Sequence, residues 1–140
     1  MGHDYIDYED RHVRLSDWDI WTLRHFFQHV SETTGHDDLG TDQATALLLC
    51  RFIRDWDWVC PGVVVGTNIS TFVEGHADRV QVLQSLFRRT IAYLHGFGDV
   101  IPLEYLQRHV NTPIAIYMVE QPTQRFVKAI EILSEMLRDQ

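Results

Sequence analysis

Two histidines four residues apart, His25 and His29, are the side chains best placed to do chemistry in this sequence. On a helix they share one face, and a pair at this spacing can bind one metal ion from a single turn. The segment continues with His36, Asp37 and Asp38, which would add ligands if the following loop folded back. The candidate metal ligands are therefore His25, His29 and His36.

The histidine pattern lacks features that known metal sites require. A catalytic zinc needs three protein ligands, and a di-iron bundle needs Glu-x-x-His pairs on two helices. Glu32 follows His29 by three residues, which is the reverse order, and no second helix repeats the pattern. We therefore predict no metal and no cofactor, assign no catalytic residue, and interpret these histidines as solvated or hydrogen-bonded.

Tryptophan set among acids is the second notable pattern, and the stretch "RDWDWVC" is its densest example. Aromatic side chains bring a large contact area to protein interfaces at a low entropy cost. On a helix, Trp18 and Trp21 share the face of His25 and His29. The predicted partner-binding residues are Trp18, Trp21, Asp37, Asp38, Asp55, Trp56, Asp57 and Trp58.

The formal net charge of the chain is −8, and its distribution is uneven. Residues 1–70 hold twelve acidic and five basic side chains. Such a field repels phosphate backbones, so direct binding of nucleic acid is not expected, whereas a basic protein partner is favoured. The acids expected to steer that partner include Asp4, Asp7, Glu9 and Asp10.

Length and composition predict one globular domain over residues 1–140, in which residues 1–15 form an extended arm. No apolar run reaches the ~20 residues of a membrane span. The first ten residues, "MGHDYIDYED", are acidic and polar and do not form a signal peptide. We therefore expect no membrane contact and a cytoplasmic location.

The pattern of apolar residues predicts a mostly α fold, a single compact bundle of about five helices. Ser16 is a good N-cap for a first helix that reaches about Thr33, and a second helix begins near Asp42. Further helices are expected at 77–95, after Pro102 and from Pro122, with a loop or short strand near residues 61–75.

The second helix is expected to be the central one, because apolar residues surround most of its circumference. On that prediction Leu48, Leu49, Phe52 and Ile53 are among the most buried residues of the protein. The first helix has a narrower apolar stripe, and His25 and His29 point away from it.

No motif in the sequence identifies a known family. Charge and the aromatic residues favour a small acidic helical protein-binding module, such as an inhibitor, immunity or anti-defence type of protein that sequesters its partner. One alternative is a homo-oligomeric structural or scaffold protein. The other is a metal-dependent helical enzyme that uses His25 and His29. A binding role is favoured over an enzymatic one.

Overall fold

The structure is a computed structural model that describes residues 3–56, 58–60, 63–64, 67–111 and 116–138. The fold is mostly α, as predicted. The α-helices within this part of the chain are α1 (Asp17–Thr33), α2 (His36–Leu39), α3 (Gln43–Arg54), α4 (Ser70–Val73), α5 (Ala77–His95), α6 (Leu103–Tyr105) and α7 (Thr123–Met136). A π-helical turn, Leu106–Val110, continues α6.

Short strands accompany the helices. They are β1 (His3–Tyr8), β2 (Arg11–Ser16), β3 (Trp58–Cys60), β4 (Val63–Val64), β5 (Thr67–Asn68), β6 (Val100–Ile101) and β7 (Gln121–Pro122). β1 pairs with β2 as an antiparallel hairpin and with β5 in parallel, while β3 pairs with β4 and β6 with β7. No described helix is both long enough and apolar enough to cross a membrane.

Helix α1 is the central element of the fold. The Ser16 side chain accepts a hydrogen bond from the backbone N–H of Asp19, which confirms the predicted N-cap. The apolar stripe of α1, including Leu23, Phe27 and Val30, is buried. Helices α3, α5 and α7 all pack against α1. The central helix is therefore α1, whereas the second helix was predicted to be central.

The prediction for the second helix, α3, is therefore partly wrong. Leu49 is buried at 0 % exposure and Ile53 is also buried, as predicted, but Leu48 is 41 % exposed and Leu47 is 63 % exposed. Phe52 is half-buried. Only one side of α3 faces α1, and the opposite side lies on the molecular surface although it carries leucines.

The N-terminal segment is non-helical, as predicted, but it is not a separate arm. Ile6 and Tyr8 of β1 are buried in the core, and β2 packs against α7. The backbone N–H of Ile69 donates to the carbonyl of Asp7 at 2.7 Å, which ties the hairpin to the start of α4. The hairpin thus becomes one wall of the surface around α4.

The remaining predictions vary in accuracy. Helix α5 spans Ala77–His95, the predicted range. Short strands occur near residues 61–75 as expected, but the single helical turn α4 in that region was not predicted. The helix expected after Pro102 is only one turn of α-helix followed by the π-helical turn.

Candidate functional site

Three side chains from three helices form a chain of hydrogen-bonding groups beside α1. The hydroxyl of Tyr93 lies 3.1 Å from that of Tyr105, which lies 2.9 Å from Nε2 of His25. The ring of His29 packs on Tyr93 and that of His109 packs on Tyr105, with centroids 4.8 and 4.7 Å apart. This His–Tyr cluster links α1, α5, α6 and the π-helical turn.

The protonation of the cluster follows from its burial. Burial lowers the pKa of His25 to about 4, and the neighbouring His29, His109 and Arg24 act in the same direction. Burial also raises the pKa of the Tyr105 hydroxyl well above its usual value. Both groups are therefore neutral at pH 7, and the contact between Nε2 of His25 and the Tyr105 hydroxyl is a hydrogen bond between two neutral side chains.

The structure does not gather the candidate metal ligands. Among the residues that it describes, no group of three His, Cys, Asp or Glu side chains could hold a metal ion. His36 lies on α2, where Nδ1 is 3.0 Å from the carbonyl of Thr41 and 3.2 Å from a carboxylate oxygen of Asp37. Nε2 of His25 is already hydrogen-bonded to Tyr105.

An apolar cavity of about 480 Å³ lies between α3 and α4, and we call it the α3–α4 groove. Leu48, Phe52, Trp56 and Phe72 supply its apolar lining. The Phe52 ring packs on Phe72 and on Trp56, with centroids 5.6 and 6.2 Å apart. The aromatic part of the lining is therefore held in place before any ligand arrives.

Charged side chains surround the groove. The guanidinium of Arg79 donates to the carbonyl of Phe72 at 2.8 Å and lies over the Phe72 ring. Asp55, Glu74 and Arg51 also line the groove, and none of the three makes an ion pair with another described residue. The rim of the groove therefore carries charges of both signs.

A second cavity, of about 470 Å³, lies on the other side of α4, and we call it the acidic cavity. Its lining includes Tyr8 and Glu9 of the hairpin, Val73 and Glu74 at the end of α4, and Val80 of α5. Both charged side chains in its described lining are carboxylates. The hairpin is fixed there because the backbone N–H of Glu9 donates to the Ser70 hydroxyl at 2.8 Å.

Glu74 joins the two cavities, because it lines both of them. It also has a left-handed backbone, with φ of 44°, and Glu9 has φ of 55°. Such values are uncommon for residues other than glycine. Arg11 lies beside the acidic cavity, with its guanidinium 3.5 Å from the Glu9 carboxylate.

The predicted partner-binding residues lie in separate places. Asp55 is exposed on the rim of the groove, whereas Trp56 is only 7 % exposed and packs on Phe27 in the core. Its Nε1 has no hydrogen-bond partner among the described residues. Asp57 and the side chain of Trp58 lie outside the described part of the structure.

Asp37 and Asp38 lie on α2 and are exposed. Arg89 of α5 donates to the carbonyl of Asp38 at 3.1 Å, and its guanidinium lies 3.9 Å from the Asp38 carboxylate. Neither aspartate lines the groove or the acidic cavity. They remain predicted partner residues, at a distinct part of the surface.

Trp18 and Trp21 are half-buried, Trp18 against the segment that precedes β7 and Trp21 against the π-helical turn. The Trp18 ring packs on Tyr117, with centroids 4.8 Å apart, and Nε1 of Trp21 donates to the carbonyl of Val110 at 3.0 Å. Tyr117 is buried and anchors the segment 116–119. That segment exposes three apolar side chains, Ile116, Met118 and Val119.

Neither of these two cavities was predicted from the sequence. Phe72 and Glu74 were expected in a loop, and Leu48 was expected in the core. The one available signal was the excess of leucine on α3, which exceeds what a single buried stripe requires. No family model, curated protein or solved structure matched this chain.

Proposed function

We propose that the chain is a small acidic, helical protein-binding module that acts as an inhibitor by sequestering its partner. The α3–α4 groove is the surface that holds an apolar part of that partner. Protein partners commonly dock large side chains into preformed apolar pockets.

The observation that carries the proposal is Leu48, a leucine that is 41 % exposed at the edge of an aromatic-lined cavity. Burial of apolar surface is the main favourable term in most protein–protein association. The neighbouring Leu47 is still more exposed and lies on the same helix. An apolar partner surface would cover both leucines and fill the cavity.

The net charge of −8 supports the same proposal. A field of this sign speeds the approach of a basic partner and slows that of acidic ones. The charge therefore acts on partner choice and association rate, while the groove supplies the contacts that keep the complex together.

The test compares partner capture by three forms of the full chain: wild type, Leu48→Asp and Ile132→Asp. Ile132 is a matched control, because it is 50 % exposed on α7 and does not line the groove. Partners captured from cells of the source organism are identified and quantified by mass spectrometry. Circular dichroism and thermal melting of each variant check the fold.

We expect a protein that wild type and Ile132→Asp retain equally and that Leu48→Asp loses. Chemical cross-links from that protein should map to α3 and α4. Equal capture by all three forms would contradict a role for the groove, and so would cross-links that map elsewhere.

A homo-oligomeric structural or scaffold protein is the second candidate. The observation that favours it is the exposure of three apolar side chains in one segment, Ile116, Met118 and Val119. Light scattering measures the mass in solution. A multimeric mass that Met118→Asp reduces to that of a monomer, and Leu48→Asp does not, would support this candidate.

A further inference from the structure

We infer that the occupant of the surface around α4 is a basic segment of a partner protein. One apolar side chain of that segment enters the α3–α4 groove, and a nearby Lys or Arg enters the acidic cavity between Glu9 and Glu74. This inference rests on the proposed function and specifies the chemistry of the partner.

The apolar half of the recognition follows from the groove. In its lining, the Phe52 ring contacts the rings of Phe72 and Trp56. These aromatic side chains therefore support one another before a ligand binds. Arg79 is held against Phe72 through a hydrogen bond and a ring contact, which commits its guanidinium to the wall of the groove. An aliphatic or aromatic side chain suits this site better than a charged one.

The basic half follows from the charge of the second cavity. Glu9 lines the cavity from the hairpin and Glu74 lines it from the end of α4, and they are the charged groups of the described lining. Tyr8, Val73 and Val80 supply apolar surface to the same cavity. A Lys or Arg side chain matches both features, because its aliphatic stem packs on apolar groups while its charged end meets the carboxylates.

The two halves belong to one surface because α4 separates the cavities by a single helical turn and Glu74 lines both. A continuous peptide segment that crosses α4 therefore meets both cavities. Arg11 contacts Glu9 at 3.5 Å in the unbound protein, so an incoming cation would share or replace that contact.

The test uses a phage-displayed library of short random peptides, selected on the immobilised full chain. Selected peptides are then synthesised, and their affinities are measured by fluorescence anisotropy. The variants are Leu48→Asp, the pair Glu9→Gln with Glu74→Gln, and Glu131→Gln as a matched control. Glu131 is an exposed glutamate of α7 that lines neither cavity.

We expect the selected peptides to combine an aliphatic or aromatic residue with a nearby Lys or Arg. Leu48→Asp should abolish their binding, with Leu48→Gln as a second variant if the first does not fold. The Glu9→Gln, Glu74→Gln pair should weaken binding roughly five- to tenfold at low salt, since each exposed ion pair contributes modestly. Glu131→Gln should change it less than about twofold.

The outcomes separate this inference from the proposed function. Two outcomes would overturn the inference and leave the groove as a binding site. In the first, the selected peptides depend on Leu48 but lack basic residues. In the second, their affinity for the Glu9→Gln, Glu74→Gln variant equals their affinity for wild type. A selection that yields no Leu48-dependent peptide overturns both.

Discussion

Nε2 of His25 lies 2.9 Å from the hydroxyl of Tyr105, so a side-chain hydrogen bond joins residues that are 80 positions apart. The pKa of His25 in the folded protein is about 4, below its ordinary value of 6.5. Between these values the unfolded chain binds more protons at this position than the folded chain does. Protonation therefore favours unfolding in this range.

The first prediction concerns acid stability. The stabilising contribution of neutral His25 is fully present above pH 6.5 and is lost as the pH falls from 6.5 towards 4. It amounts to about 2 to 3 kcal/mol. Urea unfolding at several pH values should show a shallower decline for His25→Gln than for wild type. His76→Gln, at an exposed position, should follow the wild-type profile.

The second prediction compares adjacent leucines of α3. Leu49→Ala should lower the free energy of unfolding by about 3 kcal/mol, because it leaves a cavity in the core. Leu48→Ala should lower it by less than about 1 kcal/mol, because Leu48 is partly exposed. Equal losses in denaturant unfolding would mean that α3 is rotated relative to the structure.

The third prediction concerns the anchor of the exposed 116–119 segment. The Tyr117 hydroxyl lies 2.7 Å from the Thr22 hydroxyl, which itself donates to the carbonyl of Trp18. The Tyr117 hydroxyl also lies 3.4 Å from the carbonyl of Trp18, so the two hydroxyls and this carbonyl form one hydrogen-bonded group. Tyr117→Phe should cost about 1 to 2 kcal/mol in thermal or chemical unfolding.

Hydrogen exchange provides the second measurement on this variant. The amide of Tyr117 is bonded to Oδ1 of Asn111 at 2.8 Å in the wild-type protein. Its exchange should become faster in Tyr117→Phe, while amides within α5 keep their wild-type rates. Unchanged exchange at Tyr117 would show that the hydroxyl does not anchor the segment.

The fourth prediction separates stability from binding at Glu74. Its φ of 44° is a left-handed backbone angle, which is unfavourable for residues with a Cβ atom and favourable for glycine. Glu74→Gly should therefore raise the free energy of unfolding by about 0.5 to 1 kcal/mol. The same change removes the carboxylate shared by the two cavities and should weaken the binding of basic peptides. A destabilised variant would mean that the Glu74 side chain contributes more to the fold than its backbone strain costs.

Local signals in the sequence predicted several helices accurately. Ser16 caps α1, Asp42 caps α3 through the backbone N–H of Thr45, and α5 ends at His95, just before Gly96. Capping groups and glycines act within one turn, so a single sequence contains the whole signal.

The orientation of α3 was not predictable in the same way. Its leucines occupy several faces, and the neighbouring helices decide which face is buried. The cavities depend on still longer-range contacts, since Glu9 meets Ser70 across 61 positions of the chain. The tryptophans did not predict the exposed part of the groove either. Trp56 is buried in the core, and the exposed apolar side chain at the groove is Leu48.

The parallel pairing of β1 with β5 has a consequence for the order of folding. Ile6 of β1 pairs with Thr67, and the hairpin also packs on α7. Its core contacts are thus non-local, and closing such long loops is entropically slow. The hairpin should dock late, after α1, α5 and α7 have assembled, so an Ile6→Val change should accelerate unfolding more than it slows refolding.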